Sequence, residues 1–303
     1  YLFRGISSDF NPQVLMLING IPITNLFQGD RNLVWGGMPV EAISRIEVIR
    51  GPGSALYGAD AFAGVINIVT KTPKEVQHNS AGARIGNFNT TDIWFTGAGK
   101  QGDLDYFASL ELTKTDGSDA QITSDAQSLL DLITGTSASH APGAVNLSAE
   151  NIELRVEANY QKLRLRAGSQ IRKNIGDGAG AAQALNPGNK FSSTRFNIDL
   201  TYTEEELLDN TSIEFQTSYF DTSQEVEGNF ILYPAGSTGP FLDPFGVPVF
   251  GPFPEGVIGN PEIFERHTRV GLRMEHTGIN KHQISVGGGY YHGEIDKITE
   301  WKN

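Results

Sequence analysis

The chain has 303 residues, a formal net charge of -12 and no Cys. The lack of Cys excludes disulfide frameworks, thiolate chemistry and the commonest structural zinc sites, and the acidic balance argues against a nucleic-acid partner. No window approaches the roughly 18 consecutive apolar residues of a transmembrane helix, although barrel strands of about ten alternating residues need no such window.

The first predicted elements are short strands and turns. The continuous apolar run from Val14 to Ile18 predicts a buried strand, and Asn19-Gly20 directly after it is a strong hairpin-turn dipeptide. A polar loop follows, and Pro39 to Ser44 is predicted to be a short helix.

The most informative stretch runs from Ile46 to Thr70 and predicts a strand, a tight turn, a short helical turn, a glycine-containing bend and a second strand. Pro52 has no amide hydrogen, so the first strand must end before it. A phosphate-binding loop is the alternative, but neither glycine-rich nucleotide motif is matched, which makes that alternative poor.

This ordered stretch resembles the plug-domain signature of TonB-dependent outer-membrane receptors. The signature positions present are Gly51, Pro52, Tyr57, Gly58, Gly64 and Asn67. Phe3-Arg4-Gly5 and the run from Val14 to Pro22 resemble earlier plug elements of the same family. This sequence departs from the signature at two places: Ala63-Gly64 replaces a usual Gly-Gly pair, and Asn19-Gly20 replaces a common Asp-Gly turn. Both departures are mild, because small or turn-forming residues are kept.

The resemblance implies roles for particular residues. Arg4 and Arg50 match arginines that pair with barrel-wall glutamates and lock the plug, with an ordinary surface arginine as the alternative. The loop after the Asn19-Gly20 turn would lie at the outer apex of the plug and contact substrate, with loop filling as the alternative. The candidate contacts in it are Phe27, Arg31, Asn32 and Trp35.

From Ser80 onward the sequence alternates between apolar and polar residues, as in Ile152, Leu154 and Val156 against Glu153 and Arg155. About nine such runs are long enough to span a bilayer. They lie near 81–88, 91–99, 104–114, 151–160, 163–171, 195–202, 211–222, 267–277 and 282–295. Short connections alternate with long ones, near 115–150, 172–192 and 223–265, which is typical of outer-membrane barrels and not of soluble sandwiches.

Several smaller features accompany these strands. Residues 124–134 are predicted to be a helix with Ser124 as N-cap, Gln127 completing a capping box and Gly135 as terminator. Lys162, Arg164 and Arg166 should face the lumen and pair with plug carboxylates, or else guide an anionic substrate. Aromatic side chains near strand ends fit interfacial girdles or ordinary packing. They are Trp94, Tyr106, Tyr160, Tyr202, Tyr219, Tyr290 and Tyr291.

The predicted fold is mainly β: a transmembrane antiparallel β-barrel of about 22 strands when complete, with about nine present here, and an N-terminal α+β plug. The predicted domains are 1–75 for the plug and 76–303 for the first barrel strands, so the chain is predicted to be a fragment. No catalytic set, metal site or cofactor motif is recognised, and an enzyme is not expected.

The resemblance implies active transport at the bacterial outer membrane of a scarce nutrient chelate of the ferric siderophore, haem or cobalamin class. The implied partners are the TonB complex of the inner membrane, reached through a segment upstream of Tyr1, the small-molecule cargo and outer-membrane lipid. The alternatives are a passive pore or a surface adhesin that retains a plug-like domain, and a soluble all-β enzyme or lectin.

Overall fold

A computed structural model describes residues 13–23, 25–26, 36–57, 59–242 and 247–299. Two main sheets follow each other along the chain, one of four strands and one of nine. We call the residues up to 75 the plug and the nine-stranded sheet the wall. None of the helices within the described ranges has the length and hydropathy needed to cross a bilayer.

The strands of the plug sheet are β1 (Val14–Ile18), β2 (Ile21–Pro22), β3 (Ile43–Arg50) and β4 (Gly64–Thr70). Their order in the sheet is β2-β1-β4-β3. β1 pairs with β4 in parallel, whereas the β1–β2 and β3–β4 pairs are antiparallel. Two buried apolar clusters use alternate residues of β1, one through Leu15 and Leu17 and the other through Met16 and Ile18. β1 is apolar throughout because both of its faces are covered.

The Asn19-Gly20 turn is confirmed and is tied to the signature strand. Both residues have positive φ, 53° and 80°, as a type I′ hairpin turn requires. The Gly20 amide donates to Asn67 Oδ1 at 3.0 Å, and Asn67 Nδ2 donates to Glu47 Oε2 at 2.9 Å. The pKa of Glu47 is lowered, mainly by the hydrogen bond from Asn67 and next by the hydrogen bond from Arg45. Asn67 therefore connects the hairpin, β4 and β3.

Three short 3-10 segments and one short helix complete the described plug. They are Val40–Ala42, Ala59–Ala61, Pro73–Glu75 and the helix Ser54–Tyr57. Glu75 connects the last 3-10 segment to β3, because its carboxylate accepts hydrogen bonds from the Thr72 amide at 2.7 Å and from the Ser44 hydroxyl at 2.5 Å. The Ser44 bond is the largest of the contacts that lower the pKa of Glu75.

The wall confirms the nine predicted strands, each antiparallel to the next in the chain. They are β5 (Ser80–Ile85), β6 (Thr91–Gln101), β7 (Leu104–Thr115), β10 (Ala149–Tyr160), β11 (Leu163–Gly176), β12 (Lys190–Leu208), β13 (Thr211–Val226), β18 (Glu262–His276) and β19 (Ile284–Thr299). β5 and β19 are the two edges of this sheet.

The two faces of the wall separate polar from apolar side chains. On β10, Ile152 and Leu154 are 45% and 43% exposed, whereas Glu153 and Arg155 are 0% and 5% exposed. The polar row therefore faces the plug and the apolar row faces away from it, as the alternation predicts.

The connections are sorted by length between the two ends of the wall. Residues 102–103, 161–162, 209–210 and 277–283 link strands at one end, and 116–148, 177–189 and 227–261 link them at the other. The long connections contain the strands β8 (Gln121–Ile122), β9 (Gly143–Ala144), β14 (Ile231–Tyr233), β15 (Ser237–Leu242), β16 (Pro248–Phe253) and β17 (Val257–Ile258) and the 3-10 segment Ala181–Gln183. The connection 86–90 is the one short link at the long-loop end among the described wall strands.

The predicted loop helix exists, but its start was wrong by one residue. It spans Ala126–Thr134, with Asp125 as N-cap and Ser128 as the capping-box partner, in place of Ser124 and Gln127. Gly135 ends it in the left-handed conformation, as predicted. Asp125 is the N-cap in place of Ser124 because its carboxylate also accepts hydrogen bonds from the Ser139 hydroxyl and from the Leu185 amide of the next long connection.

Replacing Leu17 by Ala should lower the free energy of unfolding of the plug by about 2–5 kcal/mol, because a buried leucine leaves a cavity. Leu17 is 1% exposed in the cluster with Leu15. Calorimetry of the full-length protein measures the change. Leu132→Ala is the control, because Leu132 is 81% exposed and its loss should change stability by less than about 0.5 kcal/mol. Equal effects of the two variants would contradict the assignment of the core.

Candidate functional site at the plug–wall interface

A row of polar side chains crosses the inner face of the wall at one level. Directly opposed residues on six consecutive strands make up the row, because each pairs with the next across the sheet. We call this row the polar belt. Its members are Glu111, Glu153, Gln170, Arg195, Thr222 and Glu265. All six are at most 6% exposed, so the belt lies between wall and plug, away from bulk solvent.

Arg195 is the cation at the centre of the belt. Its guanidinium donates to Glu153 Oε1 and, at 3.1 Å, to Gln170 Oε1. The side chains of Arg195 and Glu153 are both 0% exposed. Buried charges require partners of this kind, because the loss of one partner leaves the other charge without solvation.

Belt residues hold the plug through its backbone. Gln170 Nε2 donates to the Gly36 carbonyl at 2.9 Å, and one row further along, Asn151 Nδ2 donates to the Gly37 carbonyl at 2.9 Å. At the β18 end of the belt, the Leu26 amide donates to both carboxylate oxygens of Glu265, at 3.0 and 3.2 Å. The wall therefore binds main-chain atoms on both sides of residues 27–35.

A wall arginine also pairs with a plug carboxylate. Arg84 Nη2 lies 3.0 Å from Glu41 of the plug, 2.5 Å from Asp92 and 3.5 Å from Glu111. Its guanidinium carbon lies 4.5 Å above the Trp94 ring. This ion pair has the reverse polarity of the predicted lock, since the arginine belongs to the wall and the carboxylate to the plug.

Glu265 belongs to a chain of hydrogen bonds within the wall. His267 Nε2 lies 3.3 Å from Glu265 Oε2, and His267 Nδ1 lies 2.9 Å from the Tyr291 hydroxyl. A carboxylate only accepts, so Nε2 is assigned the hydrogen and Nδ1 accepts from Tyr291. Trp94 and Tyr291 thus make inward contacts, so of the two alternatives for these aromatic residues, packing applies to these two.

Arg164 and Arg166 of β11, and Lys162 just before it, pair with wall carboxylates and with no described residue of the plug, contrary to expectation. Arg166 lies 2.6 Å from Asp199, Arg164 lies 3.9 Å from Glu157, and Lys162 pairs with Glu204. Strand register places Arg166 directly opposite Asp199 and Arg164 diagonally across from Glu157, which a single strand's sequence does not reveal. A cavity of about 40 Å³ lies between this region and the β1–β2 hairpin, large enough for water.

The long connections are joined to one another by asparagine side chains. Asn189, which is 0% exposed, exchanges two hydrogen bonds of 2.9 Å with the Ile231 backbone, and its amide donates to Asp177 at 2.7 Å. Asn146 donates to the Asn189 carbonyl at 2.8 Å. Burial, the larger influence, raises the pKa of Asp177 despite these bonds. All three long connections therefore form one hydrogen-bonded layer.

Two aspartates order the loop helix. Burial alone would raise the pKa of Asp125 and of Asp131, but their hydrogen bonds outweigh it and lower both. Asp131 accepts from the Ala138 and Ser139 amides at 2.9 and 2.8 Å, and Asp125 accepts from the Leu185 amide at 2.8 Å.

The predicted site residues fall into two groups. Arg4, Phe27, Arg31, Asn32, Trp35 and Gly58 lie outside the described residues. Gly51 follows β3 with φ 142°, Pro52 is exposed, Tyr57 is 41% exposed, and Gly64 begins β4 opposite Arg50. Arg50 is exposed on β3, and no described residue forms an ion pair with it. Its lock role stays a prediction.

Five residues of the plug–wall interface were not predicted from the sequence: Glu41, Arg84, Gln170, Arg195 and Glu265. Alternation placed the wall residues among them on the inner face but gave no way to pair them. Within the described ranges, no three His, Asp or Glu side chains are grouped so as to hold a metal ion.

Comparison with known proteins agrees with this architecture. Residues 1–65 match the TonB-dependent Receptor Plug Domain family. The vitamin B12 transporter BtuB of Vibrio vulnificus (strain CMCP6) is 40% identical over 101 residues, which are 31% of this chain and 16% of that protein. BtuB of Vibrio cholerae serotype O1 (strain M66-2) is 36% identical over 90 residues, 30% of this chain and 14% of that protein.

Two solved structures share the fold over almost the whole chain. The unliganded ferric citrate transporter FecA has a TM-score of 0.64 at 14% identity, covering 99% of this chain and 41% of that one. The ferric-catecholate import receptor Fiu of E. coli K12, in an open form, has a TM-score of 0.59 at 14% identity, covering 96% and 43%. The chain thus spans less than half the length of these proteins.

These findings define a class first: a plug domain seated against part of an antiparallel β-barrel wall. Residues 1–65 match the plug-domain family of TonB-dependent receptors, and the chain as a whole shares its fold with solved receptors that also carry a plug and a barrel.

Acidification should release the loop helix. Because the folded-state pKa of Asp125 and Asp131 is lowered, their contribution to stability is complete above the ordinary aspartate pKa of about 4. It is lost as the pH falls through the lowered values. Pepsin cleavage within residues 126–139 measures the release, and Asp131→Asn should be cleaved readily across the whole acidic range. Equal cleavage of both proteins just above pH 4 would contradict the role of Asp131.

Proposed function

We propose that this chain is part of a receptor of the bacterial outer membrane that binds a scarce nutrient chelate outside the cell and imports it to the periplasm with energy from TonB. The observation that carries the proposal is the polar seating of the plug, whose Leu26 amide and Gly36 carbonyl bond to wall side chains. We propose that the protein breaks and forms no covalent bonds in its cargo and is not an enzyme.

The polar interface suits a plug that must be released. A hydrogen bond in a folded protein contributes about 0.5–1.5 kcal/mol, because water replaces it when it breaks. An apolar interface of the same size would expose apolar surface to water at each release. Force on the plug through the inner-membrane TonB complex would therefore break these contacts while the plug's own apolar clusters persist.

The comparisons support a proposal for the class of cargo. The relatives named above are a vitamin B12 transporter and receptors for ferric citrate and ferric catecholates. We propose a ferric siderophore, haem or cobalamin, contacted by plug residues between Leu26 and Gly36. In this proposal Arg31 meets an anionic chelate, Trp35 stacks on a ring, and Phe27 and Asn32 complete the contact.

We propose that the outward face of the wall contacts lipid. Exposed apolar side chains such as Ile152, Leu154 and Val156 form the outward face of β10, which suits the hydrocarbon region of a bilayer. The long connections would then lie outside the cell and the short ones in the periplasm. A wall of this kind requires further strands to close it, because open strand edges are not tolerated in lipid.

Uptake by the full-length receptor tests the function. Cells that carry it should accumulate a labelled ferric siderophore, haem or cobalamin from a panel, and cells that lack TonB should bind the same cargo without accumulating it. Equal accumulation in both strains would refute active transport. Swelling of liposomes in small sugars would instead favour a passive pore.

Arg50→Ala in the full-length receptor should loosen the plug if Arg50 is a lock, because a guanidinium–carboxylate pair in a narrow lumen contributes directional bonds. The expected result is a several-fold faster reaction of a cysteine placed at Ser54 with a thiol reagent, with Arg45→Ala as the control. Arg45 pairs with Glu47 at 2.8 Å within the plug. Unchanged reactivity in Arg50→Ala would exclude the lock.

A further inference from the structure

Three carboxylates surround one guanidinium where the plug meets the first three wall strands. Arg84 of β5 lies within 3.5 Å of Glu41 of the plug, Asp92 of β6 and Glu111 of β7. We call Glu41, Asp92 and Glu111 the carboxylate cluster. Asp92 and Glu111 are 7% and 6% exposed. If all three were ionised, one cation would face three anions, and two negative charges would stay uncompensated in a space that bulk water does not reach.

Two members of the cluster also contact each other. In the β6–β7 ladder Asp92 is opposite Thr113 and Glu111 is opposite Trp94, so the two carboxylates are diagonal neighbours on the inner face. They lie within hydrogen-bond distance of each other. Ionised carboxylates only accept hydrogen bonds, so a hydrogen bond between these two requires a proton on one of them. One shared proton also removes one of the excess charges.

One oxygen of Asp92 lacks a donor. Asp92 Oδ2 accepts from Arg84 Nε at 2.7 Å, whereas Oδ1 is buried and has no donor among the described residues. Further wall strands beside β5 could not supply a donor without moving Asp92, because Oδ1 is already out of contact with solvent. Protonation of the pair lowers the cost of this arrangement, because a neutral carboxyl is much less costly to bury than a carboxylate.

The neighbouring wall strand does not neutralise the cluster. Glu153 of β10 lies directly opposite Glu111 and adds another carboxylate at the same level. Arg155 and Arg195 both form ion pairs with Glu153. The nearest charges on β10 are therefore paired with each other.

The plug does not neutralise the cluster either. The 3-10 segment Pro73–Glu75 packs against β6 and β7, but Lys74 is exposed and Glu75 accepts from the Ser44 hydroxyl. Among the described residues, Arg84 is the one cation that forms ion pairs with the carboxylate cluster.

We propose that Asp92 and Glu111 hold one proton between them at neutral pH, and that this proton strengthens the contact between Arg84 of the wall and Glu41 of the plug. When the proton is present, Arg84 is shared between Glu41 and one charge of the pair. When it is lost, two wall carboxylates compete for Arg84 and repel Glu41. Exposed carboxyl groups release their protons at about pH 4, so the assembled site binds more protons at neutral pH than the separated groups, and the contact weakens as the pH rises.

Infrared difference spectroscopy of the full-length receptor in detergent tests for the proton. A protonated carboxyl has a carbonyl stretch that is separate from the carboxylate bands and shifts in D2O. At neutral pH we expect this band in the wild type and its loss in both Glu111→Gln and Asp92→Asn, because each new amide supplies a permanent N–H to the remaining carboxylate. Glu150→Gln is the matched control and should keep the band, since Glu150 is a wall glutamate with its own cation, Lys114 at 2.8 Å.

Amide hydrogen exchange in the plug peptide 38–44, which contains Glu41, tests the effect on the plug. All proteins are compared at the same pH. At neutral pH the wild type, Glu111→Gln and Asp92→Asn should exchange equally. At alkaline pH the wild type should exchange several-fold faster than both variants, because only the wild type can lose the proton. Exchange in β12 and β13 checks that each variant is folded.

Three results would overturn the proposal. The first is an infrared band that persists in both amide variants or is absent from the wild type, as expected if a cation or a water molecule fills the site. The second is loss of the band in only one variant, because a shared proton depends on both carboxyls. The third is equal exchange of peptide 38–44 in all three proteins at alkaline pH. Neither measurement uses cargo or TonB, so failure here leaves the proposed function untouched.

Discussion

The structure depends on hydrogen-bond partners for the polar side chains that are buried between the wall and the plug, where bulk water cannot reach them. Every second residue of a wall strand points inward, and on β10 this row includes Glu153 and Arg155, which are almost fully buried. Such groups are tolerated only when paired. The wall satisfies them with pairs between strands, as in Arg195 on β12 with Glu153 on β10, and with bonds to the plug backbone, as in Gln170 with Gly36.

Apolar and polar forces are divided between two tasks. Apolar packing holds the plug together, through Leu15 and Leu17 on one side of β1 and Met16 and Ile18 on the other. Hydrogen bonds and the Arg84–Glu41 ion pair hold the plug to the wall. Breaking the second set costs less than breaking the first, because water can replace polar partners but not apolar ones. In the proposed function, the plug would therefore leave the wall without losing its own apolar clusters.

In the long connections, buried polar groups are likewise satisfied by hydrogen bonds within the protein. Asn146 and Asn189 satisfy buried backbone groups of neighbouring loops, so three separate connections behave as one layer. The loop helix has its polar residues Asp125 and Asp131 engaged by the loop backbone. Side-chain-to-backbone hydrogen bonds thus contribute to the order of these loops.

Sequence by itself determined the plug signature, the Asn19-Gly20 turn, the nine wall strands and the face of each strand that points inward. These features are local, since a positive φ, a missing proline amide and a period of two act within a few residues. Only the tertiary structure decided that Arg195 meets Glu153 and Gln170, that Arg84 meets Glu41, and that Lys162, Arg164 and Arg166 pair with wall carboxylates instead of the plug. Those partners are set by strand register and by the seating of the plug, which bring together residues far apart in the chain.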